Sequence, residues 1–263
     1  MRISGPLLKK VDRNSDLYKK LAIAHPKIAQ KDSTIWGSKA AEEAAVRLNW
    51  VDLPKASLSL LPQISALREK FKARNRFVLC GMGGSSLGPE VIAQSNGREI
   101  FIFDSTDPHY AKHAIGQDLS KTLVIVSSKS GSTIETSSQR ALFEGKFLDA
   151  ALDPKEHILF VTYPGSPLDI EVRAAGFTVI NADPNVGGRF SVLSAFGLVP
   201  SALIGVDIEK LLSDAQQERE EFLADPSVIL DIAYLLIAET KQYIAFTDDQ
   251  SKFPGLSDWI EPP

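Results

Sequence analysis

Five short apolar runs punctuate the middle of the chain, and helical stretches separate them. The runs are Phe77–Cys80, Glu99–Asp104, Thr122–Ser127, His157–Thr162 and Thr178–Ile180. Because they are apolar almost without interruption, we expect strands buried on both faces of a sheet. Strands that alternate with helices are typical of a parallel sheet with right-handed crossovers. The pattern therefore predicts an α/β fold with helices on both faces of the sheet.

Helices are predicted between these strands and on both flanks. Four of them lie in the sheet region. One begins at Val91–Ala93, a second ends near Ile115, a third ends near Leu148, and a fourth covers Leu168–Ala175. Those on the flanks are predicted at Asp16–Ala24, Lys39–Leu48, Ile64–Lys72, Leu211–Glu221 and Ser227–Glu239. Gln242–Phe246 is interpreted as the first strand of a second sheet, and a further helix is expected to begin at Gly255.

The turn after the first strand contains Gly81, Gly83, Gly84 and Gly88. It lacks the dinucleotide fingerprint, because Ser86 stands where that pattern needs glycine, and it lacks the Gly-Lys-Ser/Thr of a nucleoside-triphosphate loop. Glycines let a ligand approach the backbone, and the N–H groups at a helix start favour an anion. A tight turn without a ligand explains the same glycines about equally well.

The turn after the third strand, Ser127–Thr133, holds five hydroxyls, one lysine and one glycine directly before a helix. Hydroxyls and helix N–H groups can donate hydrogen bonds to phosphate oxygens without a metal. A single Ser or Thr at this position is more often a helix cap. Five hydroxyls at one strand end, beside a second glycine-rich turn on the same sheet edge, favour a phosphate site.

Other candidate residues carry weaker signals. Arg189 follows two glycines and suits a carboxylate, a phosphate or a developing oxyanion, although a surface ion pair is the usual role of a lone arginine. His109 and His113 lie four residues apart on an expected helix, but no acidic or cysteine partner completes a metal site. Cys80 closes an apolar strand and is interpreted as a core residue rather than a nucleophile.

Composition narrows the class of protein. The 263 residues carry 29 Lys and Arg against 33 Asp and Glu, a net charge of −4 that argues against a general nucleic-acid binder. No apolar run is long enough for a membrane span, and the N-terminus lacks the apolar stretch of a signal peptide. A single cysteine excludes an internal disulfide framework and fits a reducing, cytoplasmic compartment.

Three motifs in one order give the chain a family resemblance. GMGGSSLGPE, SSKSGSTIET and NVGGRFSVLSAFGLVPSALIGVD resemble glucose-6-phosphate isomerase, in particular the shorter bacterial type that also occurs fused to transaldolase. The third motif disfavours other sugar-phosphate isomerising domains of the same superfamily. The resemblance implies two sugar-isomerase (SIS) domains, each a parallel sheet flanked by helices. It divides this chain into an N-terminal helical segment (1–55), a first SIS domain (56–205), and linker helices with the start of a second SIS domain (206–263).

The resemblance also implies site residues and partners. The residues expected to bind the sugar phosphate are Gly84, Ser85, Ser128, Lys129, Ser130, Gly131, Ser132 and Thr133. Arg189 matches the arginine that faces the reacting carbons and is the expected catalytic residue. The family needs no metal and no nucleotide cofactor. Its partners are the small sugar phosphates glucose 6-phosphate and fructose 6-phosphate, with no nucleic acid or membrane, and the full-length family forms homodimers.

The sequence departs from the family at its end. The family's base is a glutamate in an E-S-x-G-K-like stretch shortly after a W-I-E-Q-L run, whereas this chain reaches Trp259-Ile260-Glu261 and then Pro262-Pro263. We therefore expect a truncated isomerase with little activity alone, and assign no base to the glutamates at 135, 171, 239 and 261. The alternative is a non-catalytic SIS module that binds sugar phosphates.

Overall fold

A five-stranded parallel sheet forms the centre of the structure, a computed structural model that describes residues 3–238, 245–249, 252 and 254–260. Its strands are β1 (Arg76–Cys80), β2 (Phe101–Phe103), β3 (Thr122–Ser127), β4 (Ile158–Thr162) and β5 (Thr178–Asn181). The strand order is β2-β1-β3-β4-β5, and all four neighbouring pairs are parallel. The predicted α/β fold with a parallel sheet is confirmed.

Helices precede, connect and follow the strands. The α-helices are α1 (Asp16–Ala29), α2 (Ala41–Ala45), α3 (Leu53–Ala56), α4 (Leu61–Lys70), α5 (Leu87–Ser95), α6 (Pro108–Ile115), α7 (Ile134–Asp149), α8 (Pro167–Ala174), α9 (Ala195–Leu203), α10 (Ile208–Ala224), α11 (Ser227–Ala238) and α12 (Leu256–Ile260). None of the helices in the described ranges is both long and apolar enough to cross a membrane.

The sheet separates two hydrophobic cores. In β3, Leu123 and Ile125 face α4, α9 and α10, whereas Val124 and Val126 face α6, α7 and α8. All four side chains are buried. Successive side chains of a strand point to opposite faces, so a strand covered on both sides must be apolar at every position. This is why β3 appears in the sequence as an unbroken apolar run.

Several predicted elements differ in extent from the observed ones. The strand predicted at Glu99–Asp104 is only Phe101–Phe103, since β2 lies at the sheet edge and pairs on one side alone. The helix predicted over Lys39–Leu48 is only α2, because Leu48 leaves it to form an isolated antiparallel bridge with Val186.

Two further segments to compare with the sequence pattern are α9 and the strand predicted at Gln242–Phe246. Helix α9 was not predicted; almost all its side chains are buried, so it has no polar face that would reveal a helical period. Residues 242–244 of the strand predicted at Gln242–Phe246 lie outside the described residues, and Ala245 and Phe246 form no strand. The helix expected after Gly255 is α12.

The N-terminal helix α1 packs against α11 through a buried carboxylate. Asp231 accepts hydrogen bonds from the Arg13 guanidinium (2.7 and 3.2 Å) and from the Tyr18 hydroxyl (3.0 Å). The hydrogen bond from Arg13 holds the pKa of Asp231 below its ordinary value, against the opposing effect of burial. The pairing satisfies a charge that would otherwise be costly to bury.

Candidate functional site

The strands that follow β1 in the chain lie on opposite sides of it in the sheet. From β1 the chain crosses to the edge strand β2, whereas β3 lies on the other side of β1 and is followed by β4 and β5. The turns that leave β1 and β3 therefore diverge and open a crevice at the carboxyl edge of the sheet, the position where open α/β sheets bind ligands. Cys80 is paired with Val126, so the two turns begin at nearly the same level.

A cavity of about 500 Å³ occupies this crevice. Seven of the nine residues singled out in the sequence line it: Gly84, Ser85, Ser128, Lys129, Ser130, Thr133 and Arg189. The other two, Gly131 and Ser132, line a neighbouring cavity of about 470 Å³ on the far side of the same turn. The structure thus brings the two glycine-rich turns and the arginine to one place.

Two glycines shape the turn after β1, one through its backbone conformation and the other through a close backbone contact. Gly83 has a φ of +56°, a left-handed conformation that favours glycine. Gly84 packs its backbone directly against the backbone of Gly188, on the turn that carries Arg189. The hydroxyl of Ser85 makes no hydrogen bond within the described part of the chain and lies at the cavity wall.

The turn after β3 is pinned to β4 by its backbone. The N–H of Ser128 donates to the carbonyl of Val161 (3.1 Å), and the carbonyl of Lys129 accepts from the Thr162 hydroxyl (2.9 Å). The hydroxyl oxygen of Ser128 accepts from the N–H of Gly131 (3.1 Å). Because this bond uses only the acceptor side of the Ser128 hydroxyl, its proton stays available for a ligand.

Helix α7 starts at this turn and presents its N-terminus to the cavity. Thr133 is the residue before its first turn, but its side chain makes no capping hydrogen bond. The alternative that this hydroxyl serves as a helix cap is therefore wrong. The N–H groups of the first turn have no hydrogen-bond acceptor among the described residues, as is normal at a helix start, and such groups favour an anion.

Two hydroxyl residues at the cavity were not singled out in the sequence. Thr136 is buried and lies three residues after Thr133, so it occupies the same face of α7; that spacing was the available signal. Ser127 ends β3, and its buried hydroxyl has no hydrogen-bond partner. A buried hydroxyl without a partner is costly, so the Ser127 hydroxyl would gain from a hydrogen bond to a ligand at this wall of the cavity.

Lys129 reaches across the cavity toward the arginine turn. A Cβ placed on Gly188 would lie 2.6 Å from Lys129 Nζ, and Nζ lies 6.0 Å from the centre of the Tyr163 ring. Burial, and secondarily the charge of Arg47, lower the pKa of Lys129. An amine that is both partly desolvated and close to another cation gains from an added anion.

Arg189 lies in a single helical turn, Gly188–Phe190, at the rim of the cavity. The turn is closed by the Ser191 hydroxyl, which donates to the carbonyl of Gly188 (2.6 Å). Arg189 and Lys129 are both cationic, and no carboxylate is among the described residues that line the cavity. These two cationic side chains suit an anionic ligand.

The histidines near the sheet and the single cysteine take other roles. His157 is buried, its Nδ1 lies 2.9 Å from the carbonyl of Thr122, and burial lowers its pKa. His109 and His113 are exposed on α6, and no group of three or more metal-ligating side chains occurs in the described ranges. Cys80 is buried and its pKa is raised by burial, which confirms its interpretation as a core residue.

Of the four glutamates left without a role, the two described ones, Glu135 and Glu171, do not line this cavity. Glu135 lines a separate small cavity of about 340 Å³, and Glu171 pairs with Arg140 at 2.8 Å. Glu239 and Glu261 lie outside the described residues.

Comparisons with known proteins identify relatives of this chain. The model of the family "Phosphoglucose isomerase" matches residues 66–252. A glucose-6-phosphate isomerase of Thermus thermophilus is 36% identical over 203 residues, covering 74% of this chain and 49% of its own length. That of Campylobacter jejuni is 32% identical over 222 residues, covering 81% and 54%. The chain thus spans about half the length of these relatives.

A solved structure gives the same picture. A hypothetical protein, also from Thermus thermophilus, superimposes with a TM-score of 0.69 at 32% identity, covering 83% of this chain and 53% of the other. The matched region, 66–252, includes both glycine-rich turns and the arginine turn. The resemblance drawn from the three motifs is therefore confirmed, and the chain belongs to the phosphoglucose isomerase family.

Proposed function

We propose that this chain supplies the phosphate-binding part of a glucose-6-phosphate isomerase site, in which glucose 6-phosphate and fructose 6-phosphate interconvert through an enediolate. The observation that carries the proposal is the convergence of two glycine-rich turns, the N-terminus of α7 and two cations on one cavity. A cavity of about 500 Å³ has room for a hexose phosphate.

The 6-phosphate is assigned to the turn after β3. The hydroxyls of Ser128, Ser130, Thr133 and Thr136 and the N–H groups at the start of α7 act as its donors, with Lys129 as a nearby charge. Bonds from several donors to a dianion are the strong, charge-assisted kind. The phosphate lies far from the reacting carbons, so it anchors the substrate and supplies binding energy for alignment. Gly131 and Ser132 shape the turn from its far side.

Arg189 is assigned to the sugar end of the ligand. Isomerisation moves a proton between carbons 2 and 1 and passes through an enediolate that carries negative charge. A fixed guanidinium beside that charge lowers its energy more than it stabilises the neutral substrate. Replacing Arg189 by Ala in a chain with isomerase activity should therefore reduce kcat more than it raises KM, and an unaltered kcat would contradict this role.

The proton transfer itself needs a base. None of the described cavity residues is a carboxylate, and this observation favours a second candidate function, a sugar-phosphate-binding module without isomerase activity. A coupled assay with glucose-6-phosphate dehydrogenase separates the two. We expect this 263-residue chain to bind fructose 6-phosphate and to turn it over slowly or not at all. A normal turnover rate would contradict that expectation.

Binding is tested by calorimetric titration with fructose 6-phosphate. Ser128→Ala combined with Thr133→Ala removes two charge-assisted hydrogen bonds, worth about 1.5–3 kcal/mol each, so affinity should fall by at least about a hundredfold. Ser59→Ala is a matched control, since this exposed hydroxyl bonds only the nearby carbonyl of Ala56. Equal affinity for the double variant and the control would reject the phosphate site.

The wider assignments rest on the same proposal. We propose the domain division 1–55, 56–205 and 206–263 and a cytoplasmic compartment, and a homodimer is the assembly expected of the full-length family. The proposed site uses neither a metal nor a nucleotide cofactor, since hydroxyls, N–H groups and cations supply its donors. The acidic net charge of −4 argues against a general nucleic-acid partner.

A further inference from the structure

The segment that carries Arg189 contacts a short stretch of residues that is far away in the sequence. We name residues 183–190 the arginine segment and residues 47–50 the N-terminal clamp. Each of the four clamp residues contacts a residue of the arginine segment. The arginine segment joins β5 to α9 and has only one short turn of helix of its own, so its position depends on its neighbours.

The first two clamp residues hold the backbone of the arginine segment. The guanidinium of Arg47 donates to the carbonyl of Pro184 (3.1 Å). Leu48 and Val186 form an antiparallel bridge, and both side chains are buried. These contacts fix the chain path that leads toward the arginine turn.

The last two clamp residues hold side chains. The Asn49 amide donates to the carboxylate of Asp183 (2.7 Å). Trp50 stacks on Phe190, with ring centres 5.0 Å apart and planes at 19°. Phe190 is covalently next to Arg189 and lines the same cavity, so the stack is the clamp contact closest to Arg189 along the chain.

The clamp is itself anchored to the body of the fold. Lys31 binds both the Asn49 side chain (3.3 Å) and the carboxylate of Asp52 (2.5 Å). Arg219, on α10, donates to Asp52 (3.1 Å) and to the carbonyl of Val51 (2.9 Å). The Trp50 ring can position Phe190 only if Trp50 is itself fixed. These bonds hold the residues on either side of Trp50 and so fix it.

We infer that the N-terminal clamp is a positioning element for Arg189 and that Trp50 acts through Phe190. The inference rests on the proposed function for its role at a sugar-phosphate site, and on the contacts alone for its effect on the arginine segment. It assigns part of the N-terminal helical region to the site, although that region was expected to be separate from the first SIS domain. Trp50 is a positioning residue and touches no ligand.

The experiment compares Trp50→Ala, Trp50→Phe and Trp36→Ala in the full chain. Trp36 is a matched control, because it is 44% exposed and lies outside the clamp. Hydrogen exchange of the amides at 187–191 reports the order of the arginine turn without a ligand. Titrations with fructose 6-phosphate and with inorganic phosphate report the site, and each Trp50 variant is repeated in an Arg189→Ala background.

We expect faster exchange at 187–191 in Trp50→Ala, with the exchange of β3 unchanged. Affinity for fructose 6-phosphate should fall by about two- to tenfold, the range of an aromatic pair, while affinity for inorganic phosphate stays within about twofold. Trp50→Phe should restore most of both properties. In the Arg189→Ala background, Trp50→Ala should cause no further loss, since the residue it acts through is gone.

Unchanged exchange at 187–191 in Trp50→Ala, or an equal loss of fructose 6-phosphate affinity with and without Arg189, would overturn the inference. A general rise in exchange that includes β3 would mark a folding defect, and Trp50→Phe then decides, because it keeps an aromatic ring and must restore most of both properties. A wild-type chain that binds no fructose 6-phosphate would contradict the proposed function instead, while the exchange data would still decide whether the clamp orders the arginine segment.

Discussion

Gly84 lies so close to Gly188 that a Cβ on Gly84 would sit 2.5 Å from the Gly188 carbonyl oxygen. The contact joins the turn after β1 to the arginine turn, two segments about 100 residues apart in the sequence. A side chain of any size at position 84 would collide with the backbone of the turn that carries Arg189. The glycine is thus needed for a backbone-to-backbone contact that shapes the cavity.

Replacing Gly84 by Ala should open the site. The added methyl group meets backbone atoms that cannot swing aside, and overpacking of this kind costs about 1–3 kcal/mol. We expect a lower Tm and an affinity for fructose 6-phosphate reduced by about tenfold, measured by calorimetry. The matched control is Gly187→Ala, whose Cβ would meet only Phe190, at an ordinary 3.8 Å. Equal effects of the two variants on Tm and affinity would show that the close contact between Gly84 and Gly188 is not needed for the site.

The lowered pKa of Lys129 predicts a pH dependence of binding. Burial lowers the pKa in the free protein, whereas a bound phosphate dianion stabilises the charged amine and raises it. Binding therefore takes up a proton at pH values between the lowered pKa of the free protein and the higher pKa of the complex. Affinity for fructose 6-phosphate should fall as the pH rises through this range.

Lys129→Met and Lys129→Arg separate the causes of that pH dependence. Methionine keeps much of the side-chain volume and has no charge to titrate, so affinity should be lower and nearly flat at alkaline pH. Arginine stays charged throughout, so its variant should also lack the alkaline fall. The measurement is a calorimetric titration at several pH values, and a fall in affinity that persists in both variants would assign it to another group.

The Asp231 carboxylate should stabilise the packing of α1 on α11. Its folded-state pKa lies below the ordinary 3.8, so its stabilisation is present above 3.8 and is lost as the pH falls through the lowered value. Asp231→Asn should reduce the free energy of unfolding at pH 7 by about 1–3 kcal/mol and flatten its dependence on acid pH, measured by urea unfolding. Asp214→Asn, which breaks an exposed pair on α10, should change stability far less. Similar losses for both would contradict a special role for the buried carboxylate.

Gly145 offers a simple stabilising change. It lies inside α7 with a negative φ, and a Cβ there would meet nothing within 4 Å. Because alanine loses less backbone entropy on folding, Gly145→Ala should raise the free energy of unfolding by about 0.4–1 kcal/mol, measured by urea unfolding. Gly131→Ala is its opposite, since Gly131 has a φ of +78° and its Cβ would lie 2.6 Å from Leu168 Cβ. A loss of stability in Gly145→Ala would refute this interpretation of α7.

The extents of the elements show where sequence patterns succeed. The predicted strand Thr122–Ser127 has the same bounds as β3, and α7 ends within one residue of the expected position. Both are long or strongly apolar, so short-range periodicity defines them. The pattern failed for α9, which is buried on almost all sides, and for Lys39–Leu48, where a tertiary bridge at Leu48 ends the helix early.

The sequence by itself determined the alternation of strands and helices and the chemistry of the turns, because both are encoded by neighbouring residues. Only the tertiary structure decided the strand order, which places the turns after β1 and β3 on either side of one crevice. It also decided that Ser128 and Thr133 face that crevice while Ser132 faces away, and that Trp50 reaches Phe190. These relationships join residues distant in the chain, and packing of the two cores, rather than local periodicity, brings them together.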